Sequence, residues 1–242
     1  MKKITSFTTL SFLFTFTFFI LSGCIGNINC EKGNGKIIRQ DRKISAFNQL
    51  EVSGAYTIIL KQDSVTSVTV EADENLQSLI TTKTERKKLI IENKNSICGS
   101  KNIKVFVTTP ELKSIDISGA VELNTTNNFT GKELGLYLSG AAEMEINISV
   151  NNLKLVCSGS GKLSMEGKAD EVDALLSGAS DINAYGLTTK SFKLSSSGAG
   201  KANISVSDKL DVEISGAATV YYKGNPEVTK DISGVGAVNN VK

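Results

Sequence analysis

Glu122 and Glu143 each stand four residues after the serine of a Ser-Gly pair, Ser118-Gly119 and Ser139-Gly140, and Glu145 stands six after the second. Two carboxylates held in one phase on neighbouring strands have three chemical uses. They share a proton, divide acid and base roles at a glycosidic bond, or ligate Ca²⁺. Asn124 falls beside Glu145 in the same way. The four-after position continues as Lys162, Asp181 and Lys201. That alternation of charge accounts for most of the column as a solvated ladder without any substrate.

Other chemistry is excluded by what the chain lacks or by phase. It contains no histidine, which removes His-based triads, His metal sites and the commonest general base. Ser158-Gly159-Ser160-Gly161 has neither the Gly-x-Ser-x-Gly frame of a nucleophile elbow nor a histidine partner, and it falls in phase with the other Ser-Gly pairs. No phosphate-binding glycine loop or dinucleotide fingerprint is present. Tyr137 and Tyr221 fall at outward positions and Tyr185 near a corner. Set on different strands, they read as isolated surface tyrosines before they read as a sugar-stacking platform. No cofactor is implied.

The four cysteines follow separate logics. Cys24 closes Leu21-Ser22-Gly23-Cys24, which resembles a bacterial lipobox whose cysteine receives lipid. Cys157 takes an inward, apolar position. Cys30 and Cys98 lie in loop-like surroundings of an exported chain, so they are either a disulfide pair or two free loop thiols. The absence of a Cys-x-x-Cys pair argues against structural zinc, and no metal site is assigned.

The elements that must position these residues are given by a repeat. Ser-Gly followed by a small residue recurs at Ser118, Ser139, Ser158, Ser177, Ser197, Ser215 and Ser233, with spacings of 21, 19, 19, 20, 18 and 18 residues. Positions five, three and one before each serine are mostly apolar, as in Leu134/Leu136/Leu138, Leu153/Leu155/Cys157 and Leu210/Val212/Ile214, and polar residues intervene. Five after the serine the chain is apolar again, at Leu123, Met144, Leu163, Ile182, Ala202, Val220 and Val238. Period-two alternation on both sides of a turn predicts strand, tight corner, strand. Hairpins would favour Asn-Gly or Asp-Gly and would not hold one side-chain phase over such spacings. The expected fold is all-β: a parallel β-helix, or solenoid, of about seven C-terminal rungs with an irregular N-terminal β-layer. At the corner, glycine is expected to supply a positive φ, and the small residue after it to fill a crowded inside bend.

Taken in order, residues 1–23 read as an export signal, with Lys2 and Lys3 ahead of an apolar run from Phe7 to Leu21. Residues 24–45 read as a tether and 46–242 as the domain, with 46–110 the N-terminal layer and cap and 111–242 the regular rungs. Removal of the signal takes Lys2 and Lys3 from the 27 basic residues and leaves 25 against 25 acids. A neutral mature chain is not expected to bind nucleic acid. The off-pattern Lys230 and the pair Asn239-Asn240 make the last rung either a polar cap or an edge for association with another copy.

Two stretches resemble a known family. Val107-Thr-Thr-Pro110-Glu-Leu112-Lys-Ser-Ile115-Asp-Ile117-Ser118-Gly119-Ala120 is similar to the entry into the repeats of bacterial head GIN domain proteins. Phe47-Asn-Gln-Leu50-Glu-Val52-Ser-Gly54-Ala55-Tyr56 is similar to that family's opening segment. The resemblance covers roughly residues 37–241 and implies a β-helical fold, a preceding lipoprotein signal and an adhesin role, with no catalytic residues to carry over. The expected protein is a lipid-anchored, non-enzymatic envelope protein, held by its N-terminal lipid and placed at the outer membrane on either side. Its outward faces would meet a glycan or protein ligand. Two alternatives stand beside it: a glycan-active enzyme using Glu122, Glu143 or Glu145, and a structural protein that self-associates.

Overall fold

The computed structural model describes residues 30–98 and 103–241. Cys24 and residues 1–23, read from the sequence as an export signal, lie outside them. The N-terminal layer contains β1 (Glu31–Lys32), β2 (Ile37–Asp41), β3 (Gln49–Ser53), β4 (Ala55–Gln62) and β5 (Ser67–Asp73). A 3-10 helix η1 (Glu74–Leu79) follows, then β6 (Ile80–Glu85), β7 (Lys88–Asn93), β8 (Ile97–Cys98) and β9 (Lys104–Thr109). The regular part begins with β10 (Ser114–Ile117), β11 (Ala120–Thr125) and β12 (Phe129–Leu138). It continues through β13 (Ala141–Cys157), β14 (Ser160–Leu176), β15 (Ala179–Ser196) and β16 (Ala199–Ile214) to β17 (Ala217–Lys223), β18 (Glu227–Ile232) and β19 (Ala237–Asn240).

From β10 onward every pairing is parallel and joins one rung to the next, as a β-solenoid requires. The alternation in the sequence becomes columns of like side chains. One interior column runs Leu89, Leu50, Ile115, Leu136, Leu155, Ala174, Leu194 and Val212, all at most 1% exposed. A second runs Ile58, Leu123, Met144, Leu163, Ile182, Ala202 and Val220. Close packing of these aliphatic groups along the axis is the main source of stability. Cys157 is a buried free thiol in the column of Leu138 and Leu176.

The Ser-Gly corners stack, but not for the expected reason. Of Gly54, Gly119, Gly140, Gly159, Gly178, Gly198, Gly216 and Gly234, Gly54 alone has a positive φ, at 140°. The others are required by close approach between rungs. A Cβ on each from Gly119 onward would overlap the carbonyl oxygen of the glycine in the rung before it. That carbonyl accepts from the small residue's N–H one rung on, as in Ala141 to Gly119 at 3.0 Å, Ala179 to Gly159 at 3.1 Å and Ala217 to Gly198 at 2.9 Å. The small residue itself faces outward: Ala120, Ala141, Ala179 and Ala199 are exposed. The corner is thus an uninterrupted ladder whose tightness admits only hydrogen at the glycine α-carbon.

The N-terminal layer closes the first rung with antiparallel strands. β3 and β4 are parallel to β7 and β9 on one side and to β10 and β11 on the other. β6 then pairs antiparallel with β7, β5 with β9, and β2 with β5. Gln77, buried in η1, donates to the Ile38 and Val70 carbonyls at 3.0 and 3.1 Å, and Arg42 Nη2 donates to Gln77 Oε1 at 2.7 Å. These bonds satisfy main chain that the cap would otherwise leave buried and unpaired.

Part of the stretch read as a tether is drawn onto the domain. β1 pairs with β8, Cys30 is bonded to Cys98 with Cα atoms 5.3 Å apart, and β2 is a charged edge strand fixed by Arg39–Glu71 at 2.6 Å. Edge strands carry charge to resist further pairing, and that charge is what makes this segment look like linker.

Candidate functional site: outward ladders and a tyrosine groove

The outward faces carry the side chains that the repeat brings together. Glu122 lies directly opposite Glu143, and Asn124 opposite Glu145. The column then continues Lys162, Asp181, Lys201 and Thr219. Each of the two glutamates turns to another partner. Asn124 Nδ2 donates to Glu122 Oε1 at 3.1 Å, while Lys162 Nζ meets Glu143 Oε1 at 2.5 Å. Hydrogen bonding to Glu143 holds the Lys162 ammonium above its ordinary pKa. Both side chains of that pair are more than half exposed, so salt screens it strongly. Among the described residues no three His, Cys, Asp or Glu side chains group to hold a metal ion.

The three tyrosines singled out in the sequence have different surroundings. Lys201 Nζ stands 5.1 Å from the Tyr221 ring centroid, and Lys223 Nζ stands 4.5 Å from that of Tyr185. Each ring therefore already has a cation over it. Tyr137 is different. Its ring lies along the sheet over Gly135, where a Cβ would come within 2.7 Å of ring carbon Cε2. Tyr137 is 36% exposed and opens on a groove of about 640 Å³. Val156 and then Leu175, 53% exposed, follow it on the next two rungs. The neighbouring column reads Ser114, Gly135, Lys154, Asp173, Lys193 and Asp211.

A second acidic pair lies below Tyr137. Asp116 stands between Glu51 and Tyr137 in the same column. Burial, with the nearby Glu51 charge, pushes the Asp116 carboxyl up from its ordinary value. Lys88 is engaged with Glu51 at 2.7 Å.

Parallel rungs, a dry aliphatic interior and polar columns outside define a β-solenoid. The chain belongs to the family described as "putative auto-transporter adhesin, head GIN domain", which matches residues 46–226. Solved structures share the fold. A "putative adhesin" from Bacteroides fragilis is 23% identical with a TM-score of 0.82, over 87% of this chain and all of that one. One from Parabacteroides merdae is 23% identical with a TM-score of 0.71, over 88% of this chain and 99% of that one. A "putative lipid binding protein" from Parabacteroides distasonis is 22% identical with a TM-score of 0.74, over 88% and 99%. No protein with curated function matches the chain.

Proposed function

We propose that this protein is a non-enzymatic adhesion or binding protein of the cell envelope, lipid-anchored through Cys24, whose solenoid displays flat polar faces to a ligand. The observation that carries the reading is the one-to-one register of the outward columns flanking the corners, Glu143-Lys162-Asp181-Lys201 on one side and Lys154-Asp173-Lys193-Asp211 on the other. It fixes side chains on a rigid surface suited to broad contact rather than to one reaction centre. Membership of an adhesin family supports the same reading. The engagement of Glu122 and Glu143 by Asn124 and Lys162 weighs against a catalytic carboxylate pair.

The test is adherence. Cells producing the protein should bind a host or community surface better than cells lacking it, and protease added to intact cells should abolish both the protein and the binding. Equal adherence of the two strains would overturn the reading. Turnover of a glycan that disappears in Glu143→Gln would instead establish the enzyme. Metabolic labelling with radioactive palmitate checks the anchor, with label expected on the wild type and absent from Cys24→Ser.

A further inference from the structure

We propose that the groove over Tyr137 is a saccharide-binding subsite for a neutral glycan chain. This deepens the adhesion reading and rests on it. Three features of the groove point the same way.

The first is the ring itself. The Tyr137 ring sits over Gly135, whose missing Cβ leaves room for ring carbons Cε2 and Cζ and the hydroxyl, and both residues line the groove. An aromatic ring held at a groove wall is what the C–H face of a sugar ring stacks on, and little rotamer entropy remains to be lost on binding. Val156 and Leu175 follow Tyr137 in its column on the next two rungs, beside the groove.

The second is the state of the polar groups beside it. On the Glu143 column the charges of neighbouring rungs are bonded to each other. On the groove column Lys154, Asp173 and Lys193 stand directly opposite one another on successive strands, yet they form no ion pair among the described residues. Asn152 on the adjoining column also has no side-chain partner there. These donors and acceptors recur at the rung spacing of roughly 4.8 Å and point into the groove, available for hydroxyl groups.

The third is charge. Lys113, Lys154 and Lys193 balance Glu133, Glu171 and Asp173 around the lining. A groove with no net charge favours a neutral glycan over a sulfated or uronic-acid polymer, and over a charged lipid surface.

The test is isothermal titration calorimetry of the purified full-length protein in detergent with neutral hexasaccharides of glucose, galactose and mannose, and with hexagalacturonate for comparison. At least one neutral hexasaccharide should bind with a dissociation constant of about 1 mM or tighter. Tyr137→Ala should weaken it about tenfold or more. Gly135→Val, which keeps the tyrosine but lifts its ring, should weaken it similarly with an unchanged melting temperature, and Tyr221→Ala should leave it unaltered. Failure of every neutral hexasaccharide to bind overturns the proposal, as does unchanged affinity in Tyr137→Ala or binding of the uronate alone. Adherence of wild-type cells separates the two readings: adherence while no neutral hexasaccharide binds the protein removes the groove and leaves the adhesin, whereas glycan binding by a protein whose cells adhere no better than cells lacking it leaves the groove and removes the adhesin.

Discussion

A single hydrogen atom decides the corners. Gly159→Ala sets a methyl group against the Gly140 carbonyl that the next small residue must reach, and neither strand can yield without breaking its ladder. We expect a loss of about 2–3 kcal/mol, measured by urea denaturation. Asp116 offers a charge counterpart. Its folded pKa is raised, so the unfolded chain releases that proton at lower pH and stability falls as pH rises through the interval between the two values. Asp116→Asn should therefore raise the melting temperature at pH 7 and lose that advantage near pH 3. Reduction of Cys30–Cys98 opens a loop spanning 68 residues, and Cys98→Ser should cost about 2–4 kcal/mol in denaturant. Non-reducing peptide mapping checks the bond itself.

At the scale of elements, the regular strands were legible because their alternation is uninterrupted and one face is dry. Leu134/Leu136/Leu138, Leu153/Leu155/Cys157 and Leu210/Val212/Ile214 all face the interior, and the Glu122–Glu143 register follows from the same count. Three things were not legible. Past Ile146/Ile148/Val150 the alternation of β13 breaks at Asn151 and Asn152, both exposed, without a repeated residue to mark the place. The reason for the corner glycines lies in the rung before each, which sequence distance hides. The fold of Tyr137 over Gly135 is a side-chain contact with no periodic signal. The β6–β7 hairpin turns on Arg86 and Lys87 with φ of 48° and 66°, a conformation that asparagine and glycine adopt more readily. Replacing the pair by Asn-Gly should add about 1 kcal/mol, raising the melting temperature by about 2–4 °C. In the last rung Lys230 occupies the inward column after Val212, a device that discourages pairing at an open edge. Lys230→Val should associate more strongly with concentration than the wild type in sedimentation, whereas unchanged behaviour would place the protection elsewhere.

At the scale of the molecule, stacked rungs from Gly54 to Gly234 make a rod of roughly 34 Å at the rung spacing. One end is closed by antiparallel strands and a disulfide, and the other ends on an exposed lysine in the register of an inward column. Five residues separate Cys24 from Cys30, a span of at most about 20 Å. An anchor at Cys24 would hold the capped end near the membrane and leave Lys230 distal. A fluorescent label at an engineered Lys230→Cys should then lie farther from labelled lipid headgroups in vesicles than one at Arg86→Cys.

The alternating ladders carry a further implication for how such a gene can change length. Excising residues 159–177 joins Ser158 to Gly178 and keeps every interior column, yet it brings Glu143 opposite Asp181 and Lys154 opposite Lys193. Excising 159–197 brings Glu143 opposite Lys201 and Lys154 opposite Asp211, restoring opposite charges. Removal of two turns therefore keeps the alternation of charge on both ladders, whereas removal of one does not, although the structural unit is one turn.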